Sequence, residues 1–129
     1  MKYGCYEVAL VLKFAKYGSI LQHLRTGLKN SEDEVRTIMA QLLLSLDLMH
    51  RNRIIHRDIK PDNILIMDKD DLKICISDLG LACRSDDQEE IQVKCGTPGY
   101  VAPEVLQGCN FTTKSDIFSA GSLFFNLIA

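Results

Sequence analysis

Apolar side chains recur at helical spacing behind Ser31, and they form the longest periodic stretch of the chain. Ser31 and Glu34 have the spacing of a capping box, in which each side chain accepts a bond from the backbone N–H of the other residue. The pattern predicts an amphipathic helix from there to about His50, with one stripe on a core. The stripe consists of Val35, Ile38, Met39, Leu42, Leu46 and Met49.

Shorter apolar runs predict strands on both sides of this helix. The run from Glu7 to Phe14 is rich in β-compatible residues and predicts a buried strand. A turn and a helix from about Ser19 to Thr26 are expected to follow it. After the long helix, Ile54-Ile55 predicts a very short strand.

A β-hairpin is predicted farther along the chain. Ile64-Leu65-Ile66 is separated by a polar turn from the run Leu72 to Ser77, in which apolar and less apolar residues alternate. Because a hairpin returns the chain to its starting point, the residues after Ser77 are expected to lie beside Asn63.

The last part of the sequence predicts a helix that is apolar nearly all round. Such a helix is expected to be enclosed by other parts of a protein. The most apolar stretch, Ile117 to Ala129, is too short and too often interrupted by polar residues and glycine to span a bilayer.

Composition places the chain among ordinary globular domains. It has 129 residues, a net charge of -2, 47% hydrophobic residues and 25% charged residues, which argues against a disordered tail and against a nucleic-acid partner. No signal peptide is apparent, and we expect no membrane partner and an intracellular, cytoplasmic location. The cysteines lie far apart without a C-x-x-C pair, so free thiols are expected rather than a zinc site or disulfides. They are Cys5, Cys75, Cys83, Cys95 and Cys109.

The string from His56 to Asn63 is polar, and its composition suits phosphoryl chemistry. Pro61 disfavours a helix, so the side chains are expected to extend from a loop. Phosphoryl transfer needs a carboxylate near the attacking hydroxyl, a cation near the transferred group, and oxygen ligands for Mg²⁺. Asp58, Lys60 and Asn63 suit these three roles in that order.

The string His-Arg-Asp-Ile-Lys-Pro-Asp-Asn resembles the catalytic loop of eukaryotic protein kinases, and the lysine two places after Asp58 resembles the serine/threonine branch. The run from Cys95 to Glu104 resembles the end of the kinase activation segment, in wording most similar to the calcium/calmodulin-dependent group. The resemblance implies an α+β, protein-kinase-like fold: a mainly helical large lobe with a short β-hairpin, preceded by a hinge strand. Residues 1–129 are then a partial catalytic domain, from the hinge strand to the start of the central buried helix, with the small lobe and the C-terminal helices missing.

The same resemblance implies that the protein binds ATP and Mg²⁺ and phosphorylates Ser or Thr of a protein substrate. Asp58 would be the catalytic base, with Lys60 and Asn63 as further catalytic residues. Kinases carry Asp-Phe-Gly where this chain has Asp78-Leu79-Gly80, so Asp78 would bind the metal together with Asn63, and Leu79 would be an apolar anchor. The implied nucleotide-binding residues are Lys13, Ala15, Lys60, Asn63, Leu65 and Asp78.

Two contacts to the catalytic loop are expected. Thr97 is able to hydrogen-bond toward Asp58 and Lys60. Asp116 lies in a segment that resembles the start of the central kinase helix, and its carboxylate would accept backbone N–H groups of the catalytic loop.

The polar, acidic segment from Arg84 to Val93 is expected to be a mobile surface loop. It corresponds to the kinase activation segment, where a phosphorylated side chain often pairs with the arginine of the catalytic loop, here Arg57. The usual phosphorylated position falls on Val93, which has no hydroxyl. We therefore hypothesise that any activation uses Ser85, Thr97 or the fixed acidic charges.

Several kinase features are absent from the sequence: the Gly-rich phosphate loop, the strand lysine that contacts the phosphates, and its helix glutamate. The first hypothesis is the central part of an active serine/threonine kinase. The alternative is a catalytically inactive, truncated kinase that acts as a binding or regulatory module through exposed apolar surfaces. A partial sequence of a complete kinase is a third possibility.

Overall fold

A computed structural model of the chain describes residues 9–26 and 30–129. Within these ranges, short helices and strands surround one long helix, and single turns of 3-10 helix connect several of them. The helices are α1 (Ile20–Leu24), α2 (Glu32–Arg51), α3 (Pro103–Leu106) and α4 (Thr113–Ile128). The strands are β1 (Ile54–Ile55), β2 (Ile64–Asp68), β3 (Lys73–Ile76) and β4 (Cys83–Arg84).

Helix α2 forms where the periodicity predicts it, and its capping box is present. The Ser31 hydroxyl accepts from the Glu34 backbone N–H at 3.2 Å, and the Glu34 carboxylate accepts from the Ser31 N–H at 2.7 Å. Both bonds satisfy donors that a helix start leaves open. The buried stripe of the helix consists of Val35, Ile38, Leu42 and Leu46, while Met39 and Met49 are half-buried.

The predicted hairpin is confirmed, and it positions the residues that follow it. Strands β2 and β3 pair antiparallel, with Ile64 opposite Ile76. At the end of the hairpin, the Ser77 backbone N–H donates to the Asn63 carbonyl at 2.8 Å. The chain therefore returns to Asn63 immediately before Asp78, as the sequence indicates.

One core joins α2, the hairpin and α4. It contains the stripe of α2, the inward side chains of β2, and the buried face of α4, all of which are removed from water in the same cluster. Ile59 of the polar string also lies in this core and is fully buried. The backbone of the polar string is thus anchored on the core rather than suspended in solvent.

The enclosure expected for α4 is only partial among the described residues. Ala120, Leu123 and Leu127 are buried, but Phe124 and Phe125 are exposed. No helix in the described ranges is both long enough and apolar enough to cross a membrane.

The prediction of a buried strand from Glu7 to Phe14 is wrong for the described part of that run. Residues 9–14 form no strand, and Val11 is 94% exposed; Glu7 and Val8 lie outside the described residues. A strand needs a neighbour for its backbone groups and a facing layer for its apolar side chains, and no described strand supplies either to this run. Propensity alone therefore gave the wrong local structure.

Candidate active site

The loop that begins at His56 is held by one buried carboxylate of α4. Asp116 accepts from the His56 backbone N–H at 2.9 Å and from the Arg57 N–H at 2.9 Å. This confirms the contact expected for Asp116. The same carboxylate bonds His50 Nε2 at 2.8 Å, a contact that nothing local in the sequence indicates because the two residues are 66 positions apart.

The backbone of Arg57 requires this support. Its φ is 67°, a left-handed backbone conformation that residues other than glycine, asparagine and aspartate rarely adopt. Such a residue persists only where its surroundings fix it. The bonds from Asp116 to the N–H groups of His56 and Arg57 supply that constraint directly before Asp58.

The loop is more ordered and more buried than its composition predicts. Pro61–Asn63 form one turn of 3-10 helix, with proline at its first position, where its missing N–H is not needed. Asp58 and Asn63 are only 7% and 6% exposed. The prediction that Pro61 leaves these side chains to extend from an open loop is therefore wrong.

Asp58 collects three side-chain donors. Lys60 Nζ lies 2.8 Å from Asp58 Oδ2, and Asn63 Nδ2 donates to the same oxygen at 3.0 Å and to the Asp58 carbonyl at 2.9 Å. The Thr97 hydroxyl donates to Asp58 Oδ1 at 2.6 Å and accepts from Lys60 Nζ at 2.8 Å. The structure thus brings Asp58, Lys60, Asn63 and Thr97 together, including the predicted contact from Thr97.

These contacts favour the charged forms of both Asp58 and Lys60. Burial by itself raises the pKa of the Asp58 carboxyl, but the hydrogen bonds from Lys60, Thr97 and Asn63 outweigh it, so the pKa lies below its ordinary value. The bond to Asp58 raises the pKa of the Lys60 ammonium, against a smaller opposing effect of burial. At neutral pH the site therefore holds a carboxylate next to an ammonium group.

A cleft of about 620 Å³ lies beside the hairpin formed by β2 and β3. Lys13, Leu65 and Asp78 line it, so three of the predicted nucleotide-binding residues share one cavity. Ala15 is not one of its lining residues; its carbonyl accepts from the Gly18 N–H at 3.1 Å. The apolar side chains lining the cleft are Leu10, Leu12, Leu65, Met67, Ile76 and Leu79.

Two residues of the hairpin that the sequence analysis did not name also line the cleft. Met67 and Cys75 line it beside Leu65, and Leu65 and Cys75 are opposite each other in the register of β2 and β3. Side chains two positions apart on a strand share a face. The alternation that predicts the core face of the hairpin therefore also indicates Leu65 and Met67 as its opposite face.

Asp78 stands at the end of this cleft in an unusual conformation. Its φ is 59°, and its Oδ1 accepts from the Gly80 backbone N–H at 3.1 Å. The negative charge of Asp78 makes a minor contribution to the raised pKa of the Lys60 ammonium, whose largest cause is the hydrogen bond to Asp58. Leu79 is 60% exposed, so the expectation of an apolar anchor is wrong: the 3-10 turn Leu79–Leu81 leaves this side chain in contact with solvent.

The oxygen atoms near the hairpin end suit Mg²⁺. Asn63 donates through its amide nitrogen to Asp58, so its side-chain oxygen would be the atom to contact a cation, and Asp78 is exposed. Mg²⁺ prefers such oxygen ligands and usually completes its shell with water and substrate phosphates. Within the described ranges, no three or more His, Cys, Asp or Glu side chains form a group that could hold a metal ion.

The segment that follows Gly80 packs against β1, the strand that leads into the loop at His56. Cys83 of β4 pairs with Ile55 of β1, and Ile91 lies in the 3-10 turn Glu90–Gln92, where it is only 7% exposed. The Ile91 carbonyl accepts from the Phe111 N–H at 2.8 Å. The prediction of a purely surface loop from Arg84 to Val93 is therefore wrong at Ile91, where one apolar side chain among polar neighbours provides an anchor.

Comparisons with known proteins agree with this geometry. A sequence model described as the protein kinase domain matches residues 4–129. The phosphorylase b kinase gamma catalytic chain, liver/testis isoform, of Bos taurus is 36% identical over 127 residues, which cover 93% of this chain and 30% of that protein. CBL-interacting protein kinase 26 of Oryza sativa subsp. japonica is 37% identical over 127 residues, which cover 95% of this chain and 25% of that protein.

A probable serine/threonine-protein kinase 2 of Plasmodium falciparum (isolate K1 / Thailand) is 35% identical over 122 residues, covering 94% of this chain and 24% of that protein. The chain thus spans between 24% and 30% of the length of these relatives. The family match nevertheless covers almost all of the chain, and the resemblance of the catalytic loop is confirmed. The chain belongs to the protein kinase domain family.

Proposed function

We propose that the protein is a serine/threonine protein kinase that transfers the γ-phosphoryl group of ATP to a hydroxyl of a protein substrate. The observation that carries this proposal is the buried Asp58 carboxylate, which is bonded to Lys60, Asn63 and Thr97. A binding module has no need for an ionised carboxylate fixed in this way. The names of the relatives, among them a probable serine/threonine-protein kinase, support the same class.

Asp58 is the proposed base. A carboxylate offers about four acceptor positions, and three are taken by the described donors: Lys60 and Asn63 on Oδ2, and Thr97 on Oδ1. The remaining position on Oδ1 is available to a substrate hydroxyl. A hydroxyl bonded there would be oriented for attack and would have an acceptor for its proton.

Lys60 has a different role in this proposal. Its ammonium group is fixed between Asp58 Oδ2 and the Thr97 hydroxyl, both at 2.8 Å. A cation held in place before the reaction stabilises negative charge as it develops on the transferred group. Thr97 links the substrate-binding side of the site to Asp58 and Lys60 without carrying a charge itself.

The proposed nucleotide site combines the cleft with the hairpin end. Lys13 and Ala15 would contact the adenine through backbone groups, and Leu65 would pack against it, since Lys13 and Leu65 line the cleft. Asn63 and Asp78 would hold Mg²⁺, which when bound neutralises phosphate charge. The Ser77–Asn63 backbone bond supports this assignment because it holds the two halves of the donor set together.

The proposed location is the cytoplasm, where ATP and reduced thiols are available. Cys75, Cys83, Cys95 and Cys109 are free cysteines, and the wide spacing of the cysteines in the sequence is typical of a protein from a reducing compartment. Cys5, also predicted to be a free thiol, lies outside the described residues.

A non-catalytic binding module is the second candidate function. The specific observation in its favour is the set of exposed apolar side chains near the cleft and on α4, such as Val11 at 94% and Phe125 at 68% exposure. Exposed apolar surface of this kind is typical of sites that contact another protein segment. The two candidates differ in whether phosphate transfer depends on Asp58.

The test is Asp58→Asn in the full-length protein, assayed for phosphate transfer from ATP to a Ser/Thr peptide array. We expect transfer to fall by about 10²- to 10⁴-fold, the typical contribution of a positioned base. The affinity for a fluorescent ATP analogue should remain close to that of the wild type. Asp62→Asn is the matched control, because Asp62 is exposed in the same loop. Undiminished turnover in Asp58→Asn would contradict the mechanism, and an inactive wild-type protein would favour the binding module.

A further inference from the structure

The hairpin of β2 and β3 contains two irregularities at its closed end. The register shifts between Ile66 and Asp68, where β2 has one residue more than β3, as in a β-bulge. Leu72, which leads into β3, has a φ of 46°, a backbone conformation that leucine rarely adopts. Features of this kind persist only where the surrounding structure fixes them.

The side chain of Gln41 in α2 contacts the backbone on both sides of Lys73. Its Nε2 donates to the Leu72 carbonyl at 2.9 Å, and its Oε1 accepts from the Ile74 N–H at 3.1 Å. Nε2 also donates to the Thr37 carbonyl at 3.1 Å, which ties the amide to its own helix. The bonds to residues 72 and 74 are those that a neighbouring strand makes, and no described strand pairs with this edge of β3.

The register of β3 decides which of its side chains reach the core and which reach the cleft. Because side chains alternate along a strand, a slip of one residue moves every side chain to the opposite face. In the observed register Ile74 and Ile76 pack against the core, whereas Cys75 lines the cleft. Gln41 bonds the backbone of β3 where the bulge of β2 faces it, at the point where the two strands differ in length.

The register also decides where the chain leaves the hairpin. In the observed pairing the Ser77 N–H donates to the Asn63 carbonyl at 2.8 Å, directly before Asp78. A strand rises about 3.3 Å per residue, so a slip of one residue would displace Asp78 by about that distance. Side chains that share one Mg²⁺ at about 2.1 Å do not tolerate a displacement of this size.

We propose that Gln41 is a positioning residue for the proposed phosphoryl transfer: its side-chain amide fixes the register of β3 and thereby holds Asp78 beside Asn63. The proposal rests on the proposed function, in which Asn63 and Asp78 hold the metal ion. Gln41 itself contacts the opposite end of β3 from Asp78 and does not line the cleft. Its effect on the reaction therefore passes through the backbone of β3.

The test compares Gln41→Leu with Thr37→Ala in the full-length protein. Leucine has about the size of glutamine and suits a helix equally well, but it cannot bond the backbone of β3. Thr37 is the matched control because it is exposed one turn earlier on the same helix, where its hydroxyl donates to the Asp33 carbonyl. Gln41→Glu is the second variant, since it keeps an acceptor for the Ile74 N–H and loses the donor to the Leu72 carbonyl.

The first readout is hydrogen exchange of the Ile74 and Ser77 amides in the protein without metal or nucleotide. In Gln41→Leu we expect exchange of the Ile74 amide to become about tenfold faster, because its acceptor is removed. Exchange of the Ser77 amide should become at least about threefold faster, since a slipped register lacks its bond to Asn63. Gln41→Glu should be intermediate, and Thr37→Ala should match the wild type within about twofold.

The second readout is phosphate transfer to a Ser/Thr peptide at increasing Mg²⁺ concentration. We expect the Mg²⁺ concentration for half-maximal transfer to rise by about three- to tenfold in Gln41→Leu, because Asp78 is displaced from Asn63. KM for the peptide should change by less than about twofold, since Gln41 does not touch the substrate in this proposal. A merely structural role would reduce the amount of folded enzyme and leave the Mg²⁺ dependence unchanged.

Unchanged exchange of the Ser77 amide in Gln41→Leu would overturn the proposal, and so would an unchanged Mg²⁺ dependence in an active enzyme. Equal behaviour of Gln41→Leu and Thr37→Ala would have the same consequence. An inactive wild-type protein would refute the proposed function separately, and the exchange of the Ser77 amide then decides whether Gln41 fixes the register. If Gln41→Leu does not fold, the same comparisons are made with Gln41→Glu.

Discussion

Replacing Asp116 by asparagine tests how far the catalytic loop depends on the buried carboxylate of α4. In the wild type, one oxygen accepts from the Arg57 N–H and the other accepts from the His56 N–H and contacts His50. Asparagine has nearly the same shape but only one oxygen. One loop N–H would then face an NH₂ group, and neither of these two donors would have an acceptor.

The cost follows from burial. Asp116 is 0% exposed, and a buried donor without a partner costs about 1–3 kcal/mol, so two such donors give roughly 2–4 kcal/mol after some relaxation. The left-handed φ of Arg57, 67°, adds to the tendency of the loop to open once these bonds are weakened. The local opening free energy of the loop should fall by the same amount.

The assay is native-state hydrogen exchange of the His56 and Arg57 amides in the full-length protein. Their protection should fall by about 30- to 1,000-fold in Asp116→Asn, which is the exchange equivalent of the calculated cost. The control is Asp47→Asn, since Asp47 is 54% exposed and forms a surface ion pair with Arg51; it should change protection by less than about threefold. Protection in Asp116→Asn within threefold of the wild type would refute the view that this carboxylate holds the loop.

Two further predictions concern the Asp58 group. Thr97→Val removes the hydroxyl between Lys60 and Asp58 and should lower kcat by about tenfold in steady-state assays, with Thr97→Ser close to the wild type. The second prediction concerns pH. Because the folded-state pKa of Asp58 is lower than the ordinary value of 3.8, the ionised form stabilises the fold above that pH, and the contribution is lost as the pH falls through the folded-state pKa. An NMR titration of the Asp58 carboxyl carbon should therefore give a midpoint below 3.8, whereas a higher midpoint, or an unchanged kcat in Thr97→Val, would contradict these expectations.

Local sequence signals predicted the elements whose causes are local. The capping box of Ser31 and Glu34 specifies the start of α2 within four residues, and the alternation in β3 specifies its core face. The return of the hairpin to Asn63 follows from chain geometry alone. These predictions did not require any knowledge of distant parts of the chain.

The features that the sequence analysis predicted wrongly, or did not predict, have causes that residue propensity and periodicity do not describe. Val11 has β propensity, but a strand forms only when a neighbour pairs with its backbone. The exposure of Leu79 is set by a turn that Asp78 stabilises through its own side chain. The bond of His50 to Asp116 spans 66 positions, so periodicity could not reveal it.

In the candidate site too, local sequence identifies some residues, whereas only the fold reveals the others. The string around Asp58 identifies the chemistry because its residue types and spacing are unusual together. The pairing of Arg57 with Glu90 joins residues 33 positions apart, and Glu90 stands in the sequence as one of several acidic residues in a polar segment. Only the fold distinguishes it from Glu89.

The proposed metal site can be tested directly with Mn²⁺, a paramagnetic substitute for Mg²⁺, added with a non-hydrolysable ATP analogue to the full-length protein. If Asn63 and Asp78 share one nucleotide-bound metal, the NMR signals of the Asn63 side-chain amide and the Asp78 backbone amide should both broaden, and the same addition with Mg²⁺ should leave both sharp. Broadening at only one of these residues, or at neither, would contradict the shared site on which the proposed phosphoryl transfer depends.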